Sequence, residues 1–455
     1  MLISFLKQLK SLKHNNRGNA LIFTLIFGAI TSVMIIGVSS YAIFENQASN
    51  HKHNRDMALH IAEAGVNYYR WHLAHNLTDY WDGTGGEPGP YIHEYNDKDG
   101  NLIGYFSLEI DVPASGSSVV LVRSTGWTIS QPQTTRTIQV RLGFPALTDY
   151  TFLSNAEMRF SFTTEVHGAV HSNGEIRFDG LTDSWVDSHV NVYGGGGPKT
   201  FWRSPVPFID FSSITGDLAN IRDLADESDT HFSSSGVEGW HVVFVGDNFD
   251  LYKVTTRDCY YGQGRWRNKK WVGWYWDGTT YCYDIGTETF FNNYDIPSSG
   301  GIFFEDDVWI EGVVDGRVSI GVGKFLDPQP YKMAFISDNL TYTQKSSDDV
   351  LGIMAQGNIH VPYEVPNSME INSAMLSQFG QISRPFYNDN IKDDLTIFGS
   401  QISYQSGGWK WVNGWGHVIS GFVDTFHSYD ANLKYFPPPG FPVEASYELI
   451  SWEEL

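Results

Sequence analysis

A chain of 455 residues exceeds the ~250 to 300 at which a single hydrophobic core stops growing, so more than one domain is expected. Aromatics make up 15% and charged residues only 18%, with 45 glycines, which suits a β-rich, loop-rich extracytoplasmic protein better than a helical cytosolic enzyme. A net charge of −22 repels phosphate backbones and argues against nucleic acid as a partner.

The chain opens with a basic leader, residues 1–18, that carries Lys7, Lys10, Lys13 and Arg17 and no acid. A short basic segment before an apolar run keeps that end on the cytoplasmic side and sends the remainder outward. From Asn19 to Phe44 no residue is charged. Some 25 helical residues reach roughly 37 Å, enough to cross a ~30 Å hydrocarbon core, so residues 20–44 read as a transmembrane segment. Ala20, Leu21, Ile22, Phe23, Leu25, Ile26, Phe27, Ile35 and Ile36 are its candidate membrane and assembly contacts. A secretory signal core runs only ~7 to 15 residues, so a retained anchor is the better reading. Beyond the membrane, Ala58, Ile61, Ala62, Gly65, Val66 and Tyr69 recur at helical spacing, with Arg55, Asp56, His60 and Glu63 between them. One helix over 19–75 is expected, apolar all round at first and one-sided later.

A basic leader ending in Arg17-Gly18, an apolar helix, and then Ala62-Glu63-Ala64-Gly65 resemble the N-terminus of the type IV pilin superfamily, in particular of PilX-type minor pilins. The resemblance implies cleavage by a prepilin peptidase between Gly18 and Asn19. It also implies a helix packed on a small antiparallel sheet. Two departures stand out: the fifth mature position is Phe23 where major pilins carry Glu, and the first is Asn19 instead of an aromatic or Met. That Glu is held to pair with a neighbouring subunit's terminal amine, so its absence points away from a bulk filament subunit. Tip pseudopilins and several PilX-type proteins also lack it.

Residues 76–145 read as the sheet. Asn76 to Pro90 is a Gly-rich loop, and Gly104–Val112, Ser118–Trp127 and Thr134–Gly143 alternate in the manner of strands. Asn96 to Asn101 resembles part of a calcium loop but has Tyr95 at the first position and no Glu at the twelfth, so an Asp-Gly hairpin turn is the better reading.

From 146 to 455 the texture changes to short apolar strands with Gly or Asn-Gly corners: Thr164–Gly180, Ile302–Gly323, Leu351–Pro362, Met369–Ile382 and Leu395–Ile402. Stacked rungs of a β-solenoid are expected, with a β-sandwich as the alternative. The expected fold class is thus α+β. Several phrases in this region, among them VHGAVHSNGEIRFDG and the closing SYELISWEE, are similar to large ectodomains that follow PilX-type N-termini. Pro437-Pro438-Pro439 and Trp452 are expected to cap the last rung.

An insertion at 201–297 carries a helix over Ser212–Asp226 and an aromatic stretch from Cys259 to Gly286. Trp266, Trp271, Trp274 and Trp276 lie there beside Arg265, Arg267, Lys269 and Lys270; Trp409, Trp411 and Trp415 form a second cluster. Such aromatics either stack on a glycan or a partner protein or, on a short hairpin turning at Asp277-Gly278, cover the flank of the domain; the second is the plainer reading. Cys259 and Cys282 are too few for a disulfide framework but can form one bridge.

Catalytic signatures are weak. HExxH, GxSxG, P-loop and CxxC patterns do not occur. His167 and His171 want a third ligand to hold zinc, and neighbouring carboxylates such as Asp306/Asp307 and Asp348/Asp349 point to opposite faces of a strand. No enzyme activity, cofactor or metal is expected. The leading expectation is a structural, minor pilin-like component of a type IV pilus or related secretion filament. It would be anchored in the inner membrane among other pilin-like subunits, with its ectodomain outside. The alternatives are an anchored adhesin that binds a surface glycan or protein, and a β-helical carbohydrate-active enzyme.

Overall fold

A computed structural model describes residues 16–77, 79–113, 117–143, 146–211, 217–269, 273–325, 330–346, 348–443 and 447–455, with side chains described outside 16–20, 217 and 265–277. The chain forms two compact units: Met1–Asp111, Leu121–Arg141 and Ser451–Leu455 make the first, and Val112–Val120 with Leu142–Ile450 make the second.

The first unit starts with one unbroken helix of 60 residues, α1 (Asn16–His75). It is followed by β1 (Tyr91–Asn96), β2 (Leu102–Asp111), β3 (Val120–Thr128) and β4 (Thr135–Gly143). The strand β1 is one more than the sequence pattern suggested. β1 and β2 form an antiparallel hairpin, with Tyr91 opposite Leu108. Its corner is the Asp97–Gly100 turn: the Asp97 carboxylate accepts from the Asp99 and Asn101 amides, both at 2.8 Å. Gly100 sits at φ 85°, where a side chain would be strained. Those bonds, the Asn101 side-chain amide foremost, hold the Asp97 carboxyl below its usual range.

Sheet order is β1-β2-β3-β4 and then the C-terminal strand Glu448–Glu454. The final strand therefore joins the first sheet instead of capping the larger unit, contrary to the expectation for Trp452, whereas Pro438 and Pro439 do pack on the larger unit, against Gly352 and Gly300. The open edge of β4 offers a row of backbone donors and acceptors, and strand pairing satisfies them where an apolar plug would not. The Leu455 amide donates to the Thr137 carbonyl at 3.0 Å, Arg136 pairs with Glu454, and Trp452 stays exposed.

In the second unit, parallel pairing links strands that are not consecutive in the chain. Gly301–Phe304, Arg317–Val322, Val350–Ala355, Ser368–Ser377, Ile391–Ser403 and Val418–Ser428 each pair in parallel with the next. A second series runs Gly239–Gly246, Val308–Val314, Ala334–Tyr342 and Ile359–His360. Register puts like beside like: Ile320, Ile353 and Met375 in one row, Val242, Ile310 and Ile336 in another, all fully buried. The earlier segment Tyr150–Ser154 pairs with Ile391–Ser403, so the stretch after residue 146 lies beside strands that follow it by some 250 positions. The unit is strand-rich and its sheet is open.

α2 (Asp217–Glu227) buries Leu218, Ile221 and Ala225 against this sheet. Gly301 permits that approach, since a Cβ there would stand 2.5 Å from Leu224 Cβ. The insertion is dominated by a long antiparallel hairpin, Asn248–Lys269 with Gly273–Asp295. This corrects the expected short hairpin: Asp277 stands opposite Arg265 and Gly278 opposite Gly264, so neither is in a turn.

Candidate functional site: the N-terminal helix

The two halves of α1 have opposite surroundings. Leu21 to Phe44 is exposed throughout, and an 18-residue window of the helix reaches a mean hydropathy of 2.5 with nothing of it buried. Leu25, Val33 and Val38 are 67–69% exposed, so these side chains have no partner within the chain. Three of the hydroxyls in this half return to helix carbonyls: Thr24 Oγ1 donates to Leu21 O (2.9 Å), Thr31 Oγ1 to Phe27 O (2.8 Å) and Ser32 Oγ to Gly28 O (2.7 Å). Hydroxyls satisfied within the helix in this way are compatible with an apolar solvent.

Docking begins at Asn54, whose Oδ1 accepts from Thr128 Oγ1 (3.0 Å) and Ser130 Oγ (2.6 Å). From there Ala58, Ile61, Ala62, Val66, Tyr69 and Leu73 are buried, the i, i+3, i+4, i+7 stripe of a one-sided helix. The sheet meets it with Phe106 and Leu108 on β2 and with Val122, Ser124 and Gly126 on β3. Two glycines set the distance. A Cβ on Gly126 would lie 2.3 Å from Ala58 O and 2.5 Å from Ala62 N, and one on Gly65 would lie 2.3 Å from Ser124 Oγ. The spacing of Ala58, Ala62 and Gly65 thus lets the helix backbone sit directly on β3. Within the Ala62–Gly65 motif, Glu63 is only half-buried and accepts from His60 Nδ1 at 3.1 Å.

The end of the helix is fastened by polar contacts. Tyr69 OH donates to Tyr80 O at 3.3 Å, and its hydroxyl is pushed well above the usual range, mainly by burial. His72 Nε2 lies 3.0 Å from Asp79 O. His93 meets the Asp82 carboxylate at 2.6 Å and stacks against Phe106, with Tyr68 tilted over it at 4.5 Å. The pattern in the sequence indicated the helical face but not Gly126 or this cluster. A glycine inside the alternating run of β3 was the available signal for a close backbone approach.

The other residues singled out above are dispersed. Gly18, Asn19 and Ala20 lie in the first turns of α1, and the leader before Asn16 is outside the described residues. In the long hairpin Trp266 stands opposite Trp276, and Asn268 opposite Trp274; Trp271 lies outside the described residues. Cys259 and Cys282 are joined by a disulfide between the two strands. The middle of this hairpin is held by side-chain contacts. Tyr260 stacks on Tyr363 at 3.8 Å and donates to Glu364, while Asp284 accepts from the amides of Tyr363 (3.1 Å) and Glu364 (2.6 Å). Burial pushes the Asp284 carboxyl up to about 6.

Apart from the exposed Asp348, the acids and histidines considered for catalysis are engaged in local structure. His167 contacts Asp183 and Glu165, and buried His171 meets Asn173 Oδ1. Asp306 accepts from Ser235 and Lys332, Asp307 from Arg257 and the Met333 amide, and Asp349 from the amides of Gly316 and Gln344. No cluster of three or more metal-ligating side chains occurs among the described residues.

No family model and no curated protein matches the chain. Among solved structures it is similar to the competence-associated pilin ComZ from Thermus thermophilus, over 88% of this chain and 97% of that one, at 12% identity and a TM-score of 0.30. A score this low establishes neither fold nor function.

Proposed function

We propose that this protein is a minor pilin-like subunit of a type IV pilus or related secretion filament. In this reading the leader is cut between Gly18 and Asn19, and Leu21–Phe44 packs first in the inner membrane and then among the helices of neighbouring subunits. The larger unit projects outward as a solenoid-like ectodomain that sets the subunit's placement or adhesion. The observation that carries the reading is the contrast along α1: one continuous helix, wholly exposed and apolar over its first half and seated on an antiparallel sheet over its second. Roughly 36 Å of apolar helix with no partner in its own chain requires either lipid or copies of such helices. The PilX-like Ala62–Gly65 motif and the absence of a Glu at position 23 favour a minor over a bulk subunit. Parallel strands in aligned rows support the solenoid-like reading of the ectodomain.

Mass spectrometry of the mature N-terminus in the native host, together with sheared surface filaments, tests this. A start at Asn19 and recovery in the filament fraction are the expected results. An intact Met1 with all protein in the membrane fraction would overturn the filament reading and leave an anchored surface protein.

A further inference from the structure

One cavity of about 520 Å³ opens within the second unit, between Met158–Thr164, the segment Gly407–Val412 and the strand Val418–Ser428. That volume is in the range of small-molecule sites, which are mostly apolar with a few polar groups fixing orientation. Its walls are aromatic. Phe160 and Trp409 are buried, Trp411 is 44% exposed, and Phe162 stands at the rim.

The polar groups at its base are arranged to donate. Lys410 Nζ gives two of its three N–H bonds to neutral oxygens, Thr163 Oγ1 and Val423 O, both at 2.7 Å. No carboxylate of a described residue lies within ion-pair distance of it, and Asp424 acts only from farther away; burial pulls its pKa down to about 8. The other cations in the lining already have anions: Arg177 pairs with Asp179 at 2.7 Å and Arg159 with Glu157 at 3.3 Å.

His427, also in the lining, has a tautomer that follows from its neighbours. The Trp409 indole can only donate, so Gln401 turns its carbonyl oxygen to it (3.0 Å). The Gln401 amide nitrogen then donates to His427 Nδ1 at 3.1 Å, which leaves the ring proton on Nε2, with no described residue accepting it. Burial, aided by Lys410, holds the ring neutral, with its pKa near 3. Half-buried charge without a counterion is costly, and an incoming anion would relieve it.

We propose that this cleft binds a small organic acid with an apolar body, an aryl or short-acyl carboxylate. Its carboxylate takes the third N–H of Lys410 and Nε2–H of His427, and its body lies between Phe160, Trp409 and Trp411. A neutral sugar could stack on the aromatic walls but would bring no anion to Lys410. The full chain in lipid nanodiscs, with empty discs as the blank, can be titrated with 2-naphthoate, octanoate and the neutral 2-naphthamide. Naphthoate is expected to bind about tenfold or more tightly than naphthamide, since a charge-assisted bond is lost in the amide. Lys410→Met should remove that preference while leaving naphthamide binding in place, and Trp411→Ala should weaken both. Equal binding of acid and amide, or binding of none of the three, would overturn the proposal. Should Lys410→Met not fold, Lys410→Gln and the rim variant Phe162→Ala, each checked by thermal melting, carry the same comparison.

Discussion

The two units give a sheet its covered face in different ways. In the first, five strands share one helix, whose buried side chains from Ala58 to Leu73 cover the sheet and whose backbone meets β3 directly at Gly126. In the second, strands align apolar residues in rows such as Ile320, Ile353 and Met375, so the burial is shared among many similar positions. The first unit therefore hangs on one helix–sheet contact, whereas the second spreads its sensitivity over many positions, Gly301 beside α2 among them. Sequence-distant polar anchors, such as the bond from Ser400 Oγ to Tyr150 O, add to the second.

The largest expected effect lies at that single contact. Gly126→Leu forces a side chain into helix backbone that cannot swing aside, and overpacking of this kind costs about 3 kcal/mol or more. Hydrogen exchange should show protection lost in β1–β4 and kept in Val308–Ser377; loss in both would break the contrast between the units.

A smaller effect is expected from pH in the second unit. Burial alone would depress His241, but Glu288 at 2.7 Å and Glu311 at 3.6 Å prevail and carry it up to about 9. The folded pKa lies above the unfolded value of ~6.5. The stabilisation is therefore complete below pH ~6.5 and lost as pH rises through about 9, an effect on the order of 3 kcal/mol. Thermal melting from pH 6 to 10 should show this decline, and His241→Gln should flatten it. Ile353→Val, which removes one methyl from a row, should cost only about 1 kcal/mol, read as a small shift in the same melting transition. Ile35→Ala, in the exposed half of α1, should leave both units' melting unchanged and reduce recovery of the protein in membranes and sheared filaments.

How much of this was legible depends on range. The helix face was readable because Ala58, Ile61, Ala62 and Val66 fall within a few turns of each other, and three of the first sheet's strands were readable from alternation. The pairing of Glu448–Glu454 with the sheet was not, because nothing local distinguishes an edge strand from a cap. The true turn of the long hairpin was misplaced for a related reason: Asp277-Gly278 has turn chemistry, yet pairing over more than twenty residues outweighs it. The Trp409/Trp411 cluster drew notice in the sequence, but Lys410 and His427 gain meaning only when Thr163, Gln401 and Val423 come together in three dimensions.

The return of the final strand to the first sheet also has a consequence for biogenesis. β4 ends at Gly143 and its neighbour begins at Glu448, so the edge of that sheet stays open while some 300 intervening residues are synthesised. A chain stalled or clipped anywhere in that interval keeps an unpaired edge on the first sheet. An open β4 edge thus marks a chain that lacks Glu448–Glu454, and such an edge is a template for pairing with other chains.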